Sequence, residues 1–184
     1  FAQGPLPASV VTGGASILAR PIALTGQADG AALTWTGGRS ACTGQKPAQV
    51  RLTGQAAAAG LKLTGQATVD YDGLIRCDLT LTPTKGQSTI QELTLEIPLK
   101  PEHARYLYHF PGRWGSCANS AYLPPDGWQN PFKPFVWLGD EDRGLAWQCE
   151  SDRNWFPLDS KTALTIERTP TATILKCHLV AQET

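Results

Sequence analysis

Apolar and polar residues alternate along several short stretches of the chain, which is the pattern of β-strands that bury one face. The clearest are residues 74–82 and 93–100, where every second position is apolar. We predict a strand from each, and we expect the two to pair antiparallel through the loop 83–87. Similar alternation predicts further strands at residues 15–24, 50–55, 61–71, 164–166 and 175–179.

Residues 134–155 contain the most regular local unit. Two apolar runs, residues 135–138 and 145–149, flank the acidic turn Gly-Asp-Glu-Asp-Arg-Gly at 139–144. The glycines at both ends supply the backbone freedom that a reversal needs, so we predict a hairpin. After the second run the sequence becomes polar and aromatic, up to Trp155.

Other stretches carry no strand pattern. Residues 37–46 are rich in glycine and polar residues and predict a loop. Residues 101–108 begin with a proline and predict a single helical turn. Residues 109–133 lack periodicity, and a loop of that length is often functional. The tetrapeptide Leu-Thr-Gly-Gln begins at positions 24, 52 and 63 without a fixed period, so we interpret it as turn or bulge chemistry rather than a solenoid repeat.

Many short alternating strands with almost no helix predict an all-β fold, an antiparallel β-sandwich with little helix. The chain has 184 residues, which suits a single domain over 1–184. There is no methionine, and the first residues have no signal-peptide pattern, so we expect a domain excised from a larger protein.

Composition narrows the possible partners. With 16 basic and 16 acidic residues the formal net charge is zero, which argues against nucleic acid, because phosphate binding needs a basic surface. No apolar run is long enough for a membrane helix, so we expect no membrane partner. We also expect the domain to be a monomer.

Cysteine and histidine do not indicate a metal site. The five cysteines include no C-x-x-C pair. Cys42 and Cys117 lie in turn-like sequence and could form a disulfide in an exported protein, whereas the other three lie on the inward side of predicted strands. The histidines, His103, His109 and His178, lack metal spacing or a nucleophile partner and are expected to be ordinary surface residues.

Four stretches, residues 71–83, 95–106, 136–147 and 150–155, resemble the non-catalytic β-sandwich of bacterial proteins similar to glycoside hydrolase family 123. The resemblance implies an N-terminal sandwich that precedes a (β/α)8 barrel, and the barrel carries the catalytic carboxylates. It therefore implies an accessory domain without hydrolase activity, from a secreted or periplasmic carbohydrate-active protein. As a finer assignment it implies the supersandwich of mutarotase-like domains.

Tryptophan is frequent, with six residues against four tyrosines and five phenylalanines. Indole faces stack on the apolar surfaces of sugar rings, so tryptophan in irregular polar sequence indicates a carbohydrate platform. The platform candidates are Trp114, Trp128 and Trp155, whereas those within predicted strands, expected in the core, are Trp35, Trp137 and Trp147. The polar residues expected to bind sugar hydroxyls are Arg113, Asp126, Asn130, Glu150, Asp152 and Arg153.

Two alternatives stay open beside glycan binding. The exposed aromatics could pack on a catalytic barrel of the same polypeptide, which would make the domain a structural brace. Within the acidic cluster 140–152, Asp140 and Glu150 could serve as the paired carboxylates of a hydrolase. The same cluster could hold a structural calcium ion, although no cofactor is expected.

Overall fold

The computed structural model describes residue 1, residues 4–112 and residues 120–181. Over these residues the fold is all-β and antiparallel, and the only helical elements are the 3₁₀ turns Pro101–His103 and Ser160–Thr162. This confirms the predicted fold class. The helical turn predicted over residues 101–108 is limited to Pro101–His103, and residues 106–108 belong to the strand Tyr106–Phe110. Within the same residues no helix has the length and apolar character needed to cross a membrane.

The strands run through the whole described chain. They are β1 (Val11–Thr12), β2 (Ala15–Ser16), β3 (Ala23–Ala28), β4 (Ala31–Ala32), β5 (Thr36–Lys46), β6 (Gln49–Ala58), β7 (Leu61–Asp70), β8 (Ile75–Pro83), β9 (Ile90–Leu99), β10 (Tyr106–Phe110), β11 (Ser120–Tyr122), β12 (Trp128–Asn130), β13 (Phe135–Gly139), β14 (Gly144–Gln148), β15 (Leu164–Arg168) and β16 (Thr173–Ala181). Contacts concentrate in two compact units, Phe1–Ala8 with Ala23–Glu92, and Ser9–Ile22 with Leu93–Thr184. The organisation as one folding domain stays a prediction.

The first unit is built on a four-stranded meander in the order β5-β6-β7-β8. Two copies of Leu-Thr-Gly-Gln lie in β6 and β7 and pair in register, so that Gly54 stands opposite Gly65. Pro5 packs against this glycine pair: a Cβ atom on Gly54 would lie 2.6 Å from the Pro5 backbone. These two copies are therefore regular strand segments, and our interpretation of them as turns or bulges is wrong.

Residues 37–46 are also a strand, which corrects the predicted loop. They form β5, which pairs with β6 from Thr36 to Lys46. Register shifts between Thr36 and Arg39 and between Cys42 and Gly44 accommodate the glycines as bulges. Backbone pairing with a neighbouring strand outweighs the weak strand preference of glycine and polar side chains.

Strands β8 and β9 alternate as predicted, but their predicted pairing is wrong. β8 pairs with β7 through the turn at Asp72 and Gly73, and it forms the edge of the meander. β9 lies beside β16 in a different sheet. The loop between β8 and β9 is thus a connection from one sheet to another, which local alternation cannot reveal.

The second unit is a two-layer sandwich. One layer contains the strands β12-β15-β16-β9, and the other contains β11-β10-β13-β14. Its core is an apolar cluster with members from both layers, including Leu99, Val136, Leu164 and Cys177, each fully buried. The predicted hairpin is confirmed as β13 and β14, and the predicted final strands are confirmed as β15 and β16. The supersandwich assignment stays a prediction.

The stretch 109–133 was predicted as an irregular loop, but its described residues include the end of β10 and the short strands β11 and β12. β11 extends one layer of the sandwich by pairing with β10, and β12 extends the other by pairing with β15. Strands of three residues are too short to show periodicity, which is why the pattern missed them.

Candidate functional site

The sheet β11-β10-β13-β14 has two different faces. Leu107 on β10 and Val136 on β13 point into the core and are buried. Because successive side chains on a strand point to opposite faces, the residues between them point away from the core. We call this side the outer aromatic face; its aromatic members are Tyr106, Tyr108, Phe110, Tyr122, Phe135 and Trp137.

The strand register places these residues in cross-strand pairs. Tyr106 stands opposite Tyr122, Tyr108 opposite Trp137, and Phe110 opposite Phe135. The ring centroids of Tyr106 and Tyr122 are 4.8 Å apart, and those of Tyr108 and Phe135 are 5.8 Å apart in an edge-on contact. Tyr122 is 68% exposed, so the face is open to solvent.

The indole of Trp137 lies against a part of the sheet that has no side chains. Gly139 and Gly144 stand opposite each other in the β13–β14 register. A Cβ atom on Gly139 would lie 2.6 Å from Cη2 of Trp137, and one on Gly144 would lie 2.7 Å from its Nε1. Only glycine at both positions allows this close approach. Trp137 is half-buried and lies on the outer aromatic face, so the expectation that it belongs to the core is wrong.

A polar group borders this face beside Tyr106. The Tyr106 hydroxyl donates to Oε1 of Glu141 at 2.7 Å, and Nη1 of Arg105 lies 3.0 Å from the same carboxylate. The hydrogen bond from Tyr106 is the main cause that lowers the pKa of Glu141, and a backbone hydrogen bond and the charge of Arg105 lower it further. The bond to Glu141 raises the pKa of Tyr106, so this phenol stays protonated and its ring orientation is held by Glu141.

The acidic turn is organised by Asp140. Its Oδ1 accepts hydrogen bonds from the backbone N–H groups of Asp142 at 2.7 Å and Arg143 at 2.9 Å. Its Oδ2 accepts from Nδ1 of His103 at 2.6 Å, and the two side chains are only 12% and 16% exposed. The bond to His103, with those backbone bonds, lowers the pKa of Asp140 to about 2. His103 therefore binds the acidic turn through Asp140 and is largely buried, so the expectation of an ordinary surface histidine is wrong.

Arg143 attaches this turn to the first hairpin of the second unit. Its Nη1 donates to the carbonyl oxygens of Thr12 at 3.1 Å and Gly13 at 3.2 Å, between β1 and β2. Gly13 leaves the room that the guanidinium occupies, since a Cβ atom there would approach Nη1 to 3.3 Å. Thus His103 and Arg143 hold the turn from two sides.

The tryptophans predicted to form a platform lie elsewhere in the second unit. Trp128, in β12, and Trp155 are half-buried and pack against the core cluster. The Trp155 ring contacts Phe132 at 5.3 Å and Trp147 at 6.1 Å between centroids. Trp114 and Arg113 lie outside the described residues. All the tryptophans that the structure describes are half-buried, in loops and in strands alike, so sequence context does not separate exposed from core indoles among them.

The polar residues predicted to bind sugar hydroxyls are mostly accessible. Asn130 is half-buried at the end of β12, and the exposed ones are Asp126, Glu150, Asp152 and Arg153. None belongs to the outer aromatic face. Their role in binding stays a prediction.

The described residues show no arrangement suited to a metal. No group of three or more histidine, cysteine, aspartate or glutamate side chains among them could hold an ion. Cys42 is exposed and its thiol is free, whereas Cys117, its candidate disulfide partner, lies outside the described part of the chain. Cys177 is fully buried, in keeping with its inward position in β16.

The outer aromatic face was not predicted, although the sequence carries a signal for it. Tyr106, Tyr108 and Phe110 recur at every second position, as do Phe135 and Trp137. Aromatic residues that alternate along two strands indicate one aromatic sheet face. Because apolar residues occupy the intervening positions as well, the pattern alone does not say which face is inside.

The fold is that of an all-β domain with an exposed aromatic face. A family model for the glycoside hydrolase 123 third domain matches residues 6–165, which is most of the chain, so the chain belongs to this family. The match confirms the family suggested by the resemblance. The family description counts this domain as the third, whereas the resemblance implied an N-terminal one. Comparisons with curated proteins and with solved structures found no match.

Proposed function

We propose that this domain binds glycan chains without cleaving them and that the outer aromatic face is the binding surface. The observation that supports this most is the Trp137 indole, which lies against two glycines amid tyrosine and phenylalanine rings. Aromatic faces stack on the apolar C–H surfaces of pyranose rings. A few polar groups at fixed positions then orient the sugar.

The polar groups of this surface suit sugar hydroxyls. Tyr108 and Tyr122 carry exposed phenols on the outer aromatic face, and Glu141 is held at its border by Tyr106. Phenols donate and accept hydrogen bonds, and a carboxylate accepts two or more. The arrangement therefore combines stacking with hydrogen bonding over neighbouring strands.

Catalysis by the acidic cluster is less well supported. A retaining or inverting glycosidase needs a carboxylic acid whose pKa is raised, so that it can protonate the leaving oxygen. The pKa of Asp140 is instead lowered to about 2, and its oxygens are occupied by His103 and backbone N–H groups. Glu150, its predicted partner, is exposed.

A brace is the second candidate, because exposed Phe110 and Tyr122 could equally pack on another domain. The partner would then be a catalytic domain of the same polypeptide. Either role fits an accessory domain of a glycoside hydrolase, and for both we propose a secreted or periplasmic location.

The test is binding of the 184-residue chain to a panel of polysaccharides, measured by affinity electrophoresis and calorimetry with sugar release followed in the same samples. We expect saturable binding without release. Trp137→Ala and Tyr122→Ala should each weaken binding about tenfold or more, since stacking on one ring contributes about 1–3 kcal/mol in analogous base–aromatic contacts. Thermal unfolding of both variants checks that the fold is intact; Tyr122, being exposed, is the safer substitution.

Trp155→Ala serves as the comparison, because Trp155 was the platform residue predicted from sequence. If Trp155→Ala abolishes binding while Tyr122→Ala and Trp137→Ala do not, the site is the Trp155 region instead. If no polysaccharide binds, glycan binding is wrong and the brace becomes the better explanation.

A further inference from the structure

We propose that the outer aromatic face selects uncharged sugar chains and disfavours anionic ones, such as glycans rich in uronic acids or sulfate esters. This inference rests on the proposed function and concerns the same surface. It follows from three features: the charged side chains on the face, those at its border, and the exposure of each.

The face itself carries no charge. Among the described residues of its four strands, every outward position is aromatic, small or neutral: Ser120, Tyr122, Tyr106, Tyr108, Phe110, Phe135, Trp137, Gly139, Gly144, Ala146 and Gln148. The only nearby cation described against one of these rings is Arg105, whose guanidinium carbon lies 5.7 Å from the centroid of Tyr106 and whose charge is offset by Glu141. A sugar carboxylate or sulfate stacked elsewhere on the described face would lose part of its hydration without gaining a cationic partner. Removing a charge from water without such a partner is costly.

The border beside Tyr106 is dominated by accessible carboxylates. The Asp142 side chain is 79% exposed, and Glu141 is also exposed. Two basic residues lie nearby. Arg105 is 50% exposed, but it pairs with Glu141, so the two charges offset each other. Arg143 is only 19% exposed and donates to two backbone carbonyls. The well-exposed charge that remains at this border is therefore the carboxylate of Asp142, which repels an approaching anion.

Lys133 lies two residues before β13, at the opposite end of this strand from Gly139. Its charge acts on His109, whose pKa is lowered by burial and then by Lys133. His109 belongs to the inward-pointing positions of β10, not to the outer aromatic face. The group on which Lys133 is seen to act is thus an inward-pointing residue and not a member of the outer aromatic face.

The experiment compares each neutral polysaccharide with its own anionic derivative. Galactomannan, mixed-linkage β-glucan and hydroxyethylcellulose are used before and after selective oxidation of their primary hydroxyls to carboxylates. The backbone and linkages stay the same, so a difference in affinity reports the charge. Calorimetry is run at low ionic strength and again at high salt.

We expect the oxidised form of any polysaccharide that binds to bind about tenfold more weakly at low salt. The gap should narrow at high salt, because salt screens exposed charges beyond a few ångströms. Asp142→Asn should leave the affinity for the neutral form unchanged and raise that for the oxidised form several-fold. Asp78→Asn, which removes an exposed carboxylate on β8, serves as the matched control and should change neither.

The outcomes separate the two proposals. Equal or tighter binding of an oxidised form overturns the charge selection and leaves glycan binding intact. Equal effects of Asp142→Asn and Asp78→Asn also overturn it, because the discrimination would then reflect the total charge of the chain. Failure of all neutral and oxidised forms to bind overturns the proposed function, and this inference with it.

Discussion

Two tryptophans on adjacent strands show how much depends on the position of a single residue. Trp137 and Trp147 both follow alternating apolar patterns and were both expected in the core. Trp147 stands opposite Val136, whose side chain is fully buried, and it packs against the core cluster. Trp137 is one position further along β13 and lies on the other face. A shift of one residue exchanges the inside and outside of a strand.

At the same scale, Asp140 should make stability depend on pH. Its pKa falls from 3.8 to about 2 in the folded chain, so the folded state favours the ionised carboxylate. The resulting stabilisation is complete above about pH 4, declines as the pH falls towards 2 and is lost below that value. We expect Asp140→Asn to lower the urea midpoint at pH 7. The difference from the unsubstituted chain should be small near pH 2 and vanish below it.

Asp142→Asn is the control for this measurement. The Asp142 side chain is exposed and lies 3.6 Å from Arg143, so removing its charge should change stability little. A loss for Asp140→Asn that is as large at pH 2 as at pH 7 would contradict the proposed role of the ionised carboxylate.

At the scale of elements, the paired glycines of β6 and β7 explain a repeat that had no evident purpose in the sequence. Gly54 and Gly65 leave a gap in the sheet surface, and Pro5 fills it. The two copies of the tetrapeptide recur because they pair with each other across the β6–β7 hairpin. Each copy supplies one of the two glycines against which Pro5 packs.

Gly54→Ala should be destabilising for this reason. The added methyl group would lie 2.6 Å from backbone atoms of Gly4 and Pro5, which cannot move aside as a flexible side chain can. Overpacking of this kind costs about 1–3 kcal/mol. Gly44→Ala is the matched control, because its nearest neighbour would be the Arg51 side chain at 3.9 Å. Denaturant unfolding that shows equal effects for the two variants would contradict the proposed importance of the packing of Pro5 on Gly54.

At the scale of the whole molecule, the zero net charge and the outer aromatic face raise the question of self-association. We expect a monomer, since hydroxyl groups of Tyr108, Tyr122 and Ser120 are interspersed among the apolar rings. Light scattering over a range of concentrations measures this directly. Association that is abolished by Phe110→Ser with Tyr122→Ser would instead identify the face as a protein interface and favour the brace.

The sequence by itself determined the all-β class, the β13–β14 hairpin and the family, since period-two alternation, turn residues and family motifs are local features. Only the tertiary structure decided that β8 and β9 belong to different sheets, that residues 37–46 pair as a strand, and that Trp137 faces outward. Strand partners and the buried face depend on contacts between residues far apart in the chain. Where both faces of a strand are apolar, alternation cannot choose between them, and packing against the second sheet makes the choice.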